Sequence, residues 1–278
     1  MTAPVLQNEK LQSAHDVQAT RLSGNSSTNA NDSVAVETPI ALVINGEPYV
    51  VMMATPKDLK DFAIGFCITE NLITTAKDIR YLDIAPCETG LQIHIRFNAQ
   101  TKSDKQRHQR NLTGRSGCGL CGTALIEDAV RNTPTVNSTL SLSLNIISKA
   151  LVQLEQNQPI KSITGAVHAA AWFDETGQLI YIREDIGRHN ALDKLVGKLY
   201  TDNTVKLDLG FIVITSRASY EMVTKSAFAG VSILVAVSAP TSLAIEIAEK
   251  SCLTLIGFAR DASCVIYAHP ERIVGKDK

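Results

Sequence analysis

The sequence predicts a mixed α/β (α+β) protein in which a small N-terminal α+β unit is joined by a polar linker to a larger α/β unit. Three observations carry this. Asn45-Gly46 separates the apolar runs IALVI and EPYVVMMA, and both residues tolerate the positive φ of a type I′ hairpin turn. FIVITS and ILVAVS are apolar almost throughout and each leads into a helix-like stretch, the pattern of strands buried in a sheet covered on both faces, with parallel crossovers. Between these regions, residues 98–117 show no apolar periodicity.

Taken in order, residues 1–33 are rich in Ser, Thr, Asn, Gln and Ala with few large apolar side chains; such a composition cannot offset the entropy of ordering, and a disordered tail is expected. Residues 34–97 form the small unit. After the hairpin, Pro56 opens a helix in which Leu59, Phe62, Ala63, Phe66 and Cys67 recur at three- and four-residue spacing. Strands follow at IRYLDIA and at the alternating LQIHIRF. Residues 98–122 are a linker, basic through Lys102, Lys105, Arg107, Arg110 and Arg115 against Asp104 alone. It is either a solvated loop or an anion-attracting docking segment. Residues 123–278 form the larger unit: a helix at 146–154, strands at AVHAAAWF and QLIYIRE, helix 188–199, strand FIVITS, helix 220–229, strand ILVAVS, helix 242–252, then strands LIGFAR and CVIYAH.

A chain of 278 residues with 27 Lys+Arg against 28 Asp+Glu is not a nucleic-acid coat and does not hold an anionic membrane by bulk charge. No basic, apolar leader opens the sequence and no apolar run approaches a bilayer span, so a soluble cytoplasmic protein is expected. Six cysteines in this length do not make a disulfide scaffold. Cys67, Cys87, Cys252 and Cys264 stand singly in apolar segments and read as small hydrophobes.

Cys118 and Cys121 differ, because Ser116-Gly117-Cys118-Gly119-Leu120-Cys121-Gly122 is a CxxC in a glycine-rich setting. Half a zinc site, a redox disulfide and a sulfur-carrying thiolate are all open to such a pair. No second CxxC completes a closed zinc site, and no intrinsic metal is expected. The nearby Arg and Lys residues favour thiolate, the attacking species. A thiolate could take the outer sulfur of a donor persulfide by exchange.

A second constellation, Arg183, Asp185, Arg188, His189, Asn190, Asp193 and Lys194, begins where a strand ends and runs into a helix. Backbone donors and cations in a first helical turn make an anion site; the alternative is a surface ladder of salt bridges. A third, Ser216, Arg217 and Ser219, follows FIVIT immediately, the position at which open α/β sheets bind ligands. Hydroxyls and guanidinium there suit phosphate.

RSGCGLCG, TGAVHAA, REDIGRHNALDK, SRASYEM, and GFAR followed by VIYAHPERI, in that order, resemble the FdhD/NarQ family of formate dehydrogenase accessory sulfurtransferases over about residues 35–275. The resemblance implies a larger three-layer α/β domain similar to the cytidine deaminase fold and a smaller ubiquitin-like roll. It implies a sulfur carrier that accepts sulfur from a cysteine desulfurase. The carrier passes it to the molybdenum bis(molybdopterin guanine dinucleotide) cofactor, bound as substrate, before that cofactor enters apo formate dehydrogenase. Cys118 maps to the persulfide carrier, with Cys121 assisting. Phe258, Ala259, Arg260, Asp261, Ala262 and Ser263 match the assigned cofactor contact, with Ser263 where many relatives carry a base. Arg183, Arg188, Lys194, Arg217 and Arg260 are expected to neutralise phosphates, and Asp185 or Asp193 to read guanine. A homodimer is left open. Deamination is not expected, because His168-Ala169-Ala170 lacks the H-x-E glutamate and the CxxC lies upstream of it. A cofactor chaperone that moves no sulfur and a zinc-stabilised interaction module are the alternatives.

Overall fold

The structure, a computed structural model, describes residues 12–99 and 133–275. Strands are β1 Ala14–Ser23, β2 Ser26–Ala35, β3 Thr38–Ile44, β4 Glu47–Ala54, β5 Ile79–Cys87, β6 Gly90–Phe97, β7 Leu142–Ser143, β8 His168–Asp174, β9 Leu179–Asp185, β10 Gly210–Ile214, β11 Ile233–Ala236, β12 Thr254–Arg260, β13 Ser263–Ala268 and β14 Ile273–Val274. Helices are α1 Leu59–Thr69, α2 Leu144–Gln156, α3 Pro159–Thr164, α4 Arg188–Thr201, α5 Tyr220–Phe228 and α6 Ser242–Lys250.

The small sheet has the order β4-β3-β6-β5. Its β3–β4 turn is the one expected, with Asn45 at φ 53° and Gly46 at φ 92°. The large sheet has the order β13-β12-β11-β10-β8-β9. Its β10, β11 and β12 run parallel, as the buried apolar strands predict, while β8 and β13 are antiparallel to their neighbours.

Alternation along these strands sends two sets of side chains to opposite faces. Ala170, Trp172, Ile212 and Leu234 meet Leu192 and Leu195 of α4, and the same apolar cluster continues through Phe62 and Phe66 of α1 to Ile40, Leu42, Ile93 and Ile95 of the small sheet. Ala171, Phe173, Phe211 and Val213 face the other way, onto Ile147, Ala150 and Leu154 of α2. The small and large units therefore share one core. Two glycines permit it: a Cβ on Gly65 would lie 1.7 Å from the Asp193 carbonyl oxygen, and one on Gly197 would lie 1.8 Å from that of Asp61. Helices α1 and α4 meet backbone to backbone there.

The expected tail is different from residue 14 onward. Strands β1 and β2 pair antiparallel from Ala14↔Ala35 to Ser23↔Ser26, turning at Gly24, whose φ is 57°. Polar composition argues against a buried core but not against a backbone ladder, and side chains lock this one across the strands, Thr20 to Asn29 and Ser33 to Asp16. The hairpin packs against α3. Of the single cysteines, Cys67 is buried as expected, while Cys87, Cys252 and Cys264 are partly exposed.

Candidate functional site

Four strands, β9 to β12, end at one edge of the large sheet, and β8 begins there at His168. Helices α4, α5 and α6 all start at this edge, behind Gly187, Ser219 and Thr241. Three helix N-termini, each with partial positive charge, thus stand along one edge of the sheet. Backbone bonds stitch the strand ends together. The Ala218 N–H donates to the Ala239 carbonyl (3.1 Å), Thr241 to Ala218 (3.0 Å), Phe258 to Ser238 (3.2 Å) and Thr215 to Ala169 (3.0 Å). Thr241 caps α6 through its hydroxyl, whereas Ser219 makes no such cap on α5 among the described residues.

Several predicted site residues do come together here. Arg188 and His189 occupy the first turn of α4, Ser216 and Arg217 follow β10, and Ser219 precedes α5. Arg217, Phe258, Arg260, Asp261, Ala262 and Ser263 are exposed, and Ala259 is buried. Residues 258–263 bend around the β12–β13 turn, with the Ser263 hydroxyl donating to the Arg260 carbonyl (3.1 Å). Phe258 and Asp261 hold positive φ, 51° and 47°. For a bulky aromatic this is an unusual backbone conformation of the kind that gathers at ligand sites.

Five of the expected contacts are engaged within the fold. Lys194 Nζ is 2.6 Å from Asp185, both side chains are fully buried, and the same ammonium donates to the Thr55 carbonyl (2.9 Å). The Thr55 N–H returns a bond to Asp185 (3.0 Å), and Asn190 donates to the Met53 carbonyl (2.8 Å) and to Asp185 (3.0 Å). Asp193 accepts from Thr69 (2.6 Å) and Lys225 (2.9 Å). Arg183 clasps Asp61 at 2.7 Å. Asp185, Asn190, Asp193, Lys194 and Arg183 therefore fasten α4 and β9 to the small unit. Burial lowers the Lys194 pKa, with Asp185 opposing the shift, and burial raises that of Asp193 against Lys225.

Two groups at the edge were not among the expected site residues. His168, half-exposed, stands opposite Asp185 in the β8–β9 register, and burial first, then the charges of Arg188 and His189, lower its pKa. Glu221 lies within the SRASYEM segment that drew attention, yet its Oε2 is 2.8 Å from His189 Nε2 and 4.0 Å from Arg188. Among the described residues no group of three or more His, Cys, Asp or Glu side chains could hold a metal ion, and no helix is long and apolar enough to cross a membrane. Cys118 and Cys121 lie outside the described residues.

A mixed sheet packed on α4 at one face and on α2 at the other, with its parallel strand ends and three helix N-termini at one edge, defines a layered α/β protein. The chain belongs to the FdhD/NarQ family, whose model matches residues 35–274. It is 47% identical over 250 residues to the "Sulfur carrier protein FdhD" of Xanthomonas euvesicatoria pv. vesicatoria (strain 85-10), covering 90% of this chain and 89% of that one. It is 45% identical over 242 residues to the protein of the same name from Cupriavidus necator, covering 87% and 84%. A crystal structure from Desulfotalea psychrophila, of a protein assigned as a formate dehydrogenase accessory protein, shares the fold with a TM-score of 0.73 at 24% identity, over 95% of this chain and all of that one.

Proposed function

We propose that this protein is a cytoplasmic sulfur carrier in the maturation of formate dehydrogenase. The observation that carries the reading is 47% identity, across 90% of the chain, to a sulfur carrier protein. Cys118 is the carrier thiol. Its thiolate attacks the outer sulfur of a persulfide on a cysteine desulfurase, a sulfur–sulfur bond forms on Cys118, and the donor leaves as thiolate, with no net oxidation or reduction. Cys121 assists release. The recipient is the molybdenum bis(molybdopterin guanine dinucleotide) cofactor, bound as substrate before it passes to apo formate dehydrogenase.

The edge of the large sheet suits the polyphosphate part of such a substrate. Arg188, Arg217 and Arg260 supply charge, Ser219 supplies a hydroxyl, the buried Ser216 holds the turn through its bond to the Arg217 carbonyl, and the helix N-termini supply oriented amides. The turn at 258–263 presents Phe258 as an exposed aromatic face, suited to stacking on a base. Formate dehydrogenase matured beside a Cys118→Ala variant is expected to be inactive. Full activity would leave cofactor binding without sulfur transfer as the protein's role.

A further inference from the structure

We propose that Glu221 is a resident counter-anion that a phosphate group must displace, so that this one carboxylate sets how tightly the crevice holds its guest. The inference rests on the reading of the sheet edge as a phosphate site.

Glu221 lies in the first turn of α5, and its Oε2 faces the first turn of α4. That single oxygen is 2.8 Å from His189 Nε2 and 4.0 Å from an Arg188 guanidinium nitrogen, with the Ser219 hydroxyl at 3.5 Å. It thus occupies the place between two helix N-termini, a guanidinium and an imidazole where an oxyanion would gain most. Its hold there is electrostatic more than directional. His189 Nε2, though close, makes no aligned hydrogen bond among the described residues, and the Ser219 contact is at the limit of hydrogen-bond length.

Contrast Asp185, whose two oxygens accept from Thr55, Gly187, Asn190 and Lys194 in a fully buried setting. Glu221 is partly exposed, at 22% for the side chain, and Arg188 at 30%, so the carboxylate can swing out and solvent or ligand can come in. It is ionised when it does so. Burial alone would raise its pKa, but the His189 contact and the charges of His189, Arg188 and Lys225 hold it below the usual carboxylate range.

A guest that exchanges with an internal anion gains less than one that binds bare cations, and it leaves more readily. That suits a protein whose cargo must be handed on. Removing the carboxylate should therefore tighten binding, the reverse of what deleting a ligand or a scaffold residue does.

Calorimetric titration of the full chain with inorganic pyrophosphate tests this. Glu221→Gln and Glu221→Ala should each bind on the order of fivefold more tightly than the unaltered chain, as expected for one like charge removed at close range. The gain should disappear when Arg188→Gln is combined with either. Weaker or unchanged binding in both Glu221 variants, with Arg188→Gln itself weakened, would overturn the counter-anion role and leave the phosphate site standing. Unchanged binding in Arg188→Gln and Arg217→Gln would overturn the site itself, and the inference with it.

Discussion

One helix carries two kinds of charge. At the start of α4, Arg188 and His189 are partly exposed and meet Glu221 at the sheet edge; Asn190, directly after them, and Asp193 and Lys194, one turn further, are buried and bonded to the small unit. The first group is partly open to solvent, and the second is consumed by the fold. Both groups are polar and each includes a cation, so what separates them is burial and the number of partners already engaged. A buried, fully partnered charge that loses its partner is costly to the fold, while a half-exposed one can be removed with little structural effect.

The sharpest way to break this contrast is at the seam. Asp185→Ala should destabilise the protein by about 3–5 kcal/mol in urea unfolding, because it leaves the Lys194 ammonium buried without its counter-ion. A loss below 1 kcal/mol would place that pair among the exposed charges. Gly65→Ala should cost less, about 1–3 kcal/mol by the same measurement, as α1 and α4 are forced apart where a Cβ would overlap the Asp193 carbonyl.

Exposed residues should behave oppositely. Arg217→Ala and Arg260→Ala are expected to change stability by no more than about 0.5 kcal/mol. Each should nonetheless weaken pyrophosphate binding by roughly tenfold, the loss of one charge-assisted contact. Variants that bind normally but unfold early would reverse the assignment.

The smallest effects come from two histidines with opposite shifts. Burial lowers the His168 pKa, so the folded state resists its protonation, and its contribution should be lost as pH falls through about 6.5. At His269 burial also opposes protonation, but the Glu249 carbonyl and the Glu271 carboxylate outweigh it and raise the pKa. Its contribution is complete below about 6.5 and should fade as pH rises through the folded value. Urea midpoints between pH 5 and 8 (roughly the range in which histidines titrate) should fall less at low pH in His168→Gln, and less at high pH in His269→Gln.

Much of the fold was legible because its signals are local. Asn45-Gly46 fixed a hairpin, and the runs around FIVIT and ILVAV fixed parallel strands leading to helices. The β1–β2 hairpin was not, because a ladder held by backbone and small polar side chains leaves no apolar pattern. At the site, the strand-end position of Arg188, Ser216 and Arg217 was legible from the switch between strand and helix periodicity. The seam was not. Asp185 finds Thr55, Arg183 finds Asp61 and Asp193 finds Thr69, partners more than 120 residues away that no motif spacing records. Glu221 was in view but lacked a reason to be chosen until α4 was seen beside α5.

The central claim is that sulfur rides on Cys118. Mass spectrometry of the full chain after incubation with a cysteine desulfurase and cysteine tests it most directly. One added sulfur, mapped to the peptide bearing Cys118 and lost in Cys118→Ala, is the predicted result. An unmodified chain recovered beside a desulfurase that is itself persulfidated would contradict it.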